Sequence, residues 1–136
     1  MSATFSREER AAMRAAVAEG KARKEGADQQ AACLAAIAEM SGTDRELAEA
    51  FHELVTAHTA LRPRTWYGMP AYADADGRPV VFFQNASKFK VRYATIGFQH
   101  TAHLDDGLLW PTSYAITGLD DAVRQLLVAL LERAVA

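Results

Sequence analysis

The chain has 136 residues, of which 50% are hydrophobic and 24% are charged, with a net charge of −2 at pH 7. This size and balance are typical of a single folded domain and exclude a disordered chain. The near-neutral charge does not favour nucleic acid as a partner, and no apolar run approaches the roughly 18 residues of a membrane span. Cys33 is the single cysteine, so no internal disulfide can form. With a charged, Ala-rich start that lacks the pattern of a secretion signal, these features predict a cytoplasmic protein.

The Ala-rich first third of the chain predicts helices. Residues 7–24 carry only a thin apolar stripe, Met13 and Val17. We therefore expect this first helix to lie loosely on the surface or at an interface with a second subunit. Gly20 and Gly26 weaken it further, because glycine is a poor helix former.

A second helix is predicted over residues 28–40, where Cys33 and Ile37 recur at helical spacing. Cys33 is thus expected to be a packed core thiol rather than a reactive one. After Ser41-Gly42, the residues from Thr43 to Glu46 match a capping box and predict the start of a third helix.

That third helix has one apolar face, which includes Leu47, Phe51 and Leu54, and Pro63 is expected to stop it. Beyond it the composition shifts to aromatic and β-branched residues separated by turns, which predicts strands. The predicted strands cover residues 65–73, 79–84, 88–98 and 108–117, with a hairpin loop at 74–77 and a polar loop at 99–107.

A last helix is predicted over residues 119–135, with Asp120 and Asp121 at its positive N-terminal end. The order is helices, then a meander of four or slightly more strands, then a helix. Short connections favour an antiparallel sheet with the closing helix packed on one face. The sequence therefore predicts a single domain of the α+β class.

The chain lacks the common catalytic motifs, which include a Gly-rich phosphate loop, a nucleophile elbow and paired cysteines. His52-Glu53 resembles the start of a zinc-protease helix, but the next histidine, His58, comes six residues later. At about 100° per residue the two imidazoles point about 240° apart and cannot hold one ion. With no nucleophile beside a base, the sequence favours a protein that is not an enzyme.

The polar loop contains a candidate metal site. Two imidazoles and two carboxylates, which suit Fe²⁺ or Zn²⁺, occur close together. The residues are His100, His103, Asp105 and Asp106. The alternative interpretation is a solvated loop that turns before the next strand.

A candidate anion site lies on the third predicted strand. Lys88, Lys90 and Arg92 alternate with Phe89 and Val91, so the three cations should share one face of the strand. They could hold a phosphate or carboxylate. The alternative is an ordinary amphipathic strand with a charged face in solvent.

Aromatic residues form a candidate ligand pocket. Trp and Tyr combine an apolar body with a polar group and often line binding sites. The predicted pocket residues are Trp66, Tyr67, Tyr72 and Trp110. They are equally ordinary residues of a core or a sheet, so both interpretations stay open.

Four stretches of the sequence together resemble the YdhG-like family, a domain of unknown function. The stretches are T-W-Y-G-M-P-A-Y at residues 65–72, K-F-K-V-R-Y at 88–93, L-D-D-G at 104–107 and W-P-T at 110–112. The resemblance covers the chain from about residue 28 to its end. It implies one domain over residues 28–136, with residues 1–27 as a variable helical extension.

The resemblance implies a compact α+β fold likened to frataxin, and a member of the family is described as an intracellular iron chaperone. It implies no catalytic residues. We therefore expect a non-enzymatic cytoplasmic binding module without a cofactor, monomeric or homodimeric, that holds a small anionic or aromatic ligand or a protein partner, and neither nucleic acid nor a membrane. The alternative is a chaperone that binds iron or another metal.

Overall fold

The computed structural model describes residues 6–136. Its elements are α1 Arg7–Ala38, α2 Gly42–His58, β1 Arg62–Trp66, β2 Met69–Ala73, β3 Pro79–Gln84, α3 Ala86–Phe89, β4 Ala94–Phe98, β5 Ser113–Ile116 and α4 Asp121–Val135. The strands form one antiparallel meander in the order β1-β2-β3-β4-β5. The predicted α+β fold is confirmed, with five strands in the sheet. None of the helices described is long and apolar enough to cross a membrane.

The core lies between one face of the sheet and the three long helices. Phe51 of α2 packs its ring 5.8 Å from that of Tyr72 and 6.3 Å from that of Phe83. Cys33 of α1 and Leu131 of α4 are fully buried in the same cluster. The prediction that Cys33 is a packed thiol is confirmed.

The opposite face of the sheet carries Trp66 and Phe82, because side chains alternate along each strand. The Phe82 ring lies directly over Gly97 of the neighbouring strand, where a Cβ would collide with it. Trp66 and Phe82 are both only partly buried, and we call their side of the sheet the open face.

The first two predicted helices are one. α1 runs from Arg7 to Ala38 without a break, so the prediction of a separate helix over residues 28–40 was wrong. Gly20 and Gly26 each cost about 1 kcal/mol relative to Ala, but the surrounding Ala, Glu, Lys and Arg are strong helix formers that outweigh them. The predicted boundary between residues 27 and 28 lies inside this helix.

The start of α2 also differs from the prediction. Ser41 is its N-cap residue and makes no side-chain capping bond, so Thr43 and Glu46 do not form the predicted capping box. The helix ends at His58, and Pro63 lies in β1 rather than at the helix end.

The strand predicted over residues 65–73 is a hairpin. Trp66 pairs with Met69, and the turn between them has positive φ at both Tyr67 (49°) and Gly68 (76°). Positive φ at both central residues is the mark of a type I′ turn, whose twist matches that of the strands. The chain therefore reverses in the middle of the segment predicted as one strand. The predicted hairpin loop at residues 74–77 is confirmed by a hydrogen bond from the Gly77 amide to the Asp74 carbonyl.

The strand predicted over residues 88–98 was wrong in its first half. Residues 86–89 form the short helix α3, and Lys90 caps it in the left-handed conformation with a φ of 54°. β4 begins only at Ala94. The strand predicted over residues 108–117 is likewise reduced to Ser113–Ile116, and Leu108 lies exposed in the preceding loop.

Candidate functional site

The two ends of the sheet carry different sequence features. The register places Trp66, Gln84 and Ala94 at one end, beside the Tyr67–Gly68 turn and α3. We call it the Gly68 end. The other end, the Gly107 end, carries the loops of residues 74–78 and 99–112.

Tyr72 belongs to the core and not to a pocket, so its predicted role was wrong. It is fully buried, and its hydroxyl lies 3.0 Å from Nδ1 of His52 and close to the Cys33 thiol. Burial, followed by the proximity of Cys33, raises the pKa of Tyr72. Burial likewise raises the pKa of Cys33 and lowers that of His52. All three groups are therefore kept neutral at physiological pH.

Trp110 is separated from the other predicted pocket residues. It lies at the Gly107 end, in an open cleft of about 390 Å³ that includes His100, Asp105 and Thr112. Trp66 lies at the Gly68 end. One aromatic pocket cannot contain both tryptophans, and the predicted pocket does not form.

The four predicted metal ligands are not brought together as a set. His103 is held by the end of the chain, since its Nδ1 lies 2.7 Å from the Ala136 carbonyl oxygen and its amide donates to the Ala134 carbonyl. His100 and Asp105 line the cleft described above. No group of three or more His, Cys, Asp or Glu side chains within residues 6–136 is placed to hold a metal ion. His100, His103, Asp105 and Asp106 therefore form no ligand set.

The other predicted residues lie at the Gly68 end, where Lys88 comes close to the turn after Trp66 and Tyr67. Lys88, Lys90 and Arg92 lie on α3 and the chain that follows it, not on one face of a strand. Exposed aromatic and apolar side chains surround them. These are Tyr67 (82% exposed), Phe89 (43%), Val91 (48%) and Tyr93 (36%). We call Tyr67 together with residues 88–93 the basic-aromatic surface.

Lys88 joins the two parts of this surface. Its Nζ lies 2.9 Å from the point where a Cβ on Gly68 would stand, beside the β1–β2 turn. The same ammonium is 5.8 Å from the centre of the Phe89 ring. Arg92 lies 5.1 Å from the centre of the Tyr93 ring. The cations thus rest on aromatic faces, which attract them, and remain accessible to a partner.

Tyr67 lies at the end of a row of three aromatic rings that begins on the open face of the sheet. Its ring is 4.8 Å from that of Trp66, which in turn is 5.3 Å from the ring of Phe82. A positive φ is uncommon for a residue with a side chain and costs about 1–2 kcal/mol. The turn holds Tyr67 in that conformation with most of its ring in solvent.

Asp44 fixes the position of α3. Its carboxylate accepts the amides of Ala86 and Ser87 at 3.0 Å each, although these residues lie far along the chain. Burial opposes ionisation of Asp44, but the hydrogen bonds from Ser87 and Ala86 outweigh it and lower the pKa of the carboxyl group. Asp44 is therefore an anion that caps the start of α3.

A cleft of about 520 Å³ adjoins the basic-aromatic surface, between the start of α2 and the chain leading to β4. Its walls include Thr43, Asp44, Arg92 and Thr117. The Asp44 carboxylate accepts the Ala86 and Ser87 amides there and takes part in none of the salt bridges formed within residues 6–136. The cleft suits polar groups, whereas Lys88, Lys90 and Arg92 make the adjoining surface positive.

Sequence reasoning missed Asp44 and the exposure of Phe89 and Val91. The alternating pattern at residues 88–93 is that of an amphipathic strand, and nothing in its neighbourhood reveals a cap contributed from α2.

No family model, no curated protein and no solved structure matches the chain. The resemblance to the YdhG-like family stays a prediction from the sequence. Function is therefore inferred from the chemistry of the surface at the Gly68 end.

Proposed function

We propose that the protein is a non-enzymatic binding module that holds an acidic segment of a partner protein on its basic-aromatic surface. The observation that carries this proposal is the grouping of exposed aromatic and apolar side chains with Lys88, Lys90 and Arg92. None of these cations takes part in the salt bridges formed within residues 6–136. Their charge is therefore available to an external anion.

The composition of the surface supports a protein partner. Tyr, Phe and Arg are enriched at the centres of protein interfaces, and a group of exposed apolar side chains is unusual on a surface that stays in water. Carboxylates of a partner would form charge-assisted hydrogen bonds with Lys88 and Arg92, each contributing about 1.5–3 kcal/mol. Apolar side chains between those carboxylates would pack against Tyr67 and Phe89.

The shape of the surface favours a peptide segment over a small molecule. Small ligands usually lose roughly 70–90% of their surface in an enclosed site. Tyr67 is 82% exposed and stands out from the surface. The walls of the neighbouring cleft include the Asp44 carboxylate, which disfavours a small anion there.

The surroundings of Cys33 and His52 support a protein that is not an enzyme. Cys33 is fully buried with a raised pKa, so it is a poor nucleophile, and the half-buried His52 shares a hydrogen bond with the buried Tyr72. We also infer a cytoplasmic location, supported by this single free thiol. We propose no role in iron delivery, because His100, His103, Asp105 and Asp106 form no group of three or more ligands within residues 6–136.

Selection from a random peptide display library tests the proposal. We expect the selected peptides to combine Asp or Glu with Phe, Tyr or Leu. Fluorescence anisotropy with one labelled selected peptide then compares variants. Replacing both Lys88 and Arg92 with Ala should weaken binding more than tenfold, because each lost contact contributes at least about 1.5 kcal/mol.

Two matched controls make the test specific. Arg124→Ala removes an exposed cation from α4, and Leu108→Ala removes an exposed apolar side chain at the Gly107 end. Both should leave the affinity unchanged, whereas Tyr67→Ala should lower it. A library that yields no acidic peptide, or a peptide that binds the Lys88/Arg92 double variant as tightly as the parent, would overturn the proposal. Binding of inorganic phosphate alone would replace it with a small-anion site.

A further inference from the structure

The first half of α1 projects from the body of the protein. Cys33 and Ile37 bury the second half of the helix against the sheet. Glu19 and Gln30 of α1 line a groove between this helix and Arg62, the first residue of β1, at the Gly107 end. Residues 7–18 continue beyond this groove for about 18 Å, and every one of them is exposed.

Acidic and basic residues alternate along the first half of α1, but most of the basic ones lie on one side of the helix. At about 100° per residue, the basic side chains of residues 7–24 other than Arg23 fall in one sector of about 120° together with Met13 and Val17. This sector, the α1 stripe, consists of Arg7, Arg10, Met13, Arg14, Val17, Lys21 and Lys24. Glu8, Glu9 and Glu19 lie outside it, and the first acidic residues on the same side of the helix are Glu25 and Asp28, beyond its end. The stripe is thus basic and partly apolar.

The α1 stripe has no partner within the described chain. It lies on the side of α1 opposite Cys33, which faces the core. Met13 is 50% exposed and Val17 is 72% exposed. None of the basic residues of the stripe takes part in the salt bridges formed within residues 6–136.

A complementary feature projects from the same end of the molecule. The loop between β4 and β5 presents Asp105 and Asp106, both exposed, followed by Leu108 and Leu109. The two leucines are 103% and 89% exposed, so nothing in the described chain covers them. We call residues 105–109 the acidic-apolar loop. Its carboxylates and leucines complement the cations and apolar side chains of the α1 stripe.

We propose that the α1 stripe of one copy docks on the acidic-apolar loop of a second copy, forming a twofold dimer. The stripe lies on the β1 side of the sheet and the loop on the β5 side, both at the Gly107 end. We place the twofold axis at that end of the sheet, oriented so that the stripe of each copy reaches the loop of the other. Both contacts then form at once, as an isologous dimer requires.

Other occupants fit the α1 stripe less well. A helix that binds membranes carries large apolar residues such as Trp, Phe and Leu, whereas this stripe has only Met13 and Val17. A nucleic-acid partner is favoured by a strongly basic protein, whereas this chain has a net charge of −2 and a pI of about 6.1. The proposed dimer is independent of the basic-aromatic surface, which lies at the Gly68 end.

Charge reversal tests the dimer. The parent chain should have twice its chain mass of 14.8 kDa by sedimentation equilibrium. One variant carries Arg10→Glu and Arg14→Glu, and the other carries Asp105→Lys and Asp106→Lys. Each alone should be monomeric because like charges face each other. An equimolar mixture should return to twice the chain mass, since both contacts of the mixed dimer again join opposite charges.

The control is Arg124→Glu, which reverses an exposed cation on α4 and should leave the dimer intact. Circular dichroism verifies that each variant is folded. A parent chain that stays monomeric across a dilution series overturns the proposal. A mixture of the two variants that remains monomeric does the same, because it shows that the stripe and the loop do not meet. Binding of the monomeric parent to anionic phosphatidylserine vesicles or to duplex DNA would assign the stripe to that partner instead.

Discussion

Replacing Asp44 with Ala should destabilise the fold and loosen the chain that carries the basic-aromatic surface. Two amides, those of Ala86 and Ser87, donate to this carboxylate at 3.0 Å. A hydrogen bond to a charged group contributes about 1.5–3 kcal/mol, but water can reach part of this site once the carboxylate is removed. We therefore expect a loss of about 2–3 kcal/mol, which lowers the thermal midpoint by roughly 10 °C for a domain of this size.

The stability loss should also depend on pH. Burial opposes the ionisation of Asp44, but the amides outweigh it and lower its pKa in the folded state. The stabilisation is then fully present above the unfolded pKa, about 3.9, and disappears as the pH falls through the lower folded value. The difference between parent and Asp44→Ala should be constant from pH 5 to pH 8 and should shrink in strong acid.

Urea denaturation and thermal melts of both proteins measure this difference. Asp44→Asn keeps one oxygen acceptor and should lose about half as much stability. Asp121→Ala, at an exposed acidic residue in the first turn of α4, is the matched control and should change stability little. Equal midpoints for parent and Asp44→Ala at pH 7 would refute the role of the carboxylate. So would a difference that persists undiminished at pH 2.

Three further predictions concern the sheet, the hairpin and the core. Gly97→Ala should cost about 1–3 kcal/mol in urea denaturation, because the new Cβ meets the Phe82 ring, whereas Gly118→Ala, with open space around it, should cost far less. Gly68→Ala should cost about 1–2 kcal/mol at its φ of 76° and should weaken peptide binding by disturbing the turn that displays Tyr67. Since burial lowers the pKa of His52, protonation opposes folding. The free energy of unfolding should therefore fall as the pH drops below about 6.5, and His52→Gln should reduce this dependence on pH. An equal dependence on pH in the parent and the variant would contradict the claim that the pKa of His52 is lowered.

Local patterns were enough to predict part of the fold. β3 occupies the predicted residues 79–84, and the loop at 74–77 forms as expected, because β-branched runs and Asp-Gly turns act over a few residues. The apolar face of α2 buries Leu47 and Phe51 as its periodicity requires.

The wrong predictions concern segments whose structure depends on features that the neighbouring residues in the sequence do not show. α3 replaces a predicted strand because Asp44 of α2 accepts its first amides. The hairpin was missed because Tyr67 occupies a left-handed turn position where Asn, Asp or Gly is usual. Trp66 and Trp110 were grouped because both are aromatic, and only the strand register shows that they lie at opposite ends of the sheet.

The most direct test of the basic-aromatic surface as a binding site is a nuclear magnetic resonance titration of ¹⁵N-labelled protein with a selected acidic peptide. The account predicts that the amide resonances of Tyr67, Gly68 and residues 88–93 shift progressively, while those of residues 105–109 at the Gly107 end stay in place. Shifts confined to the Trp110 cleft, or spread evenly over the molecule, would contradict it and move the site away from the basic-aromatic surface.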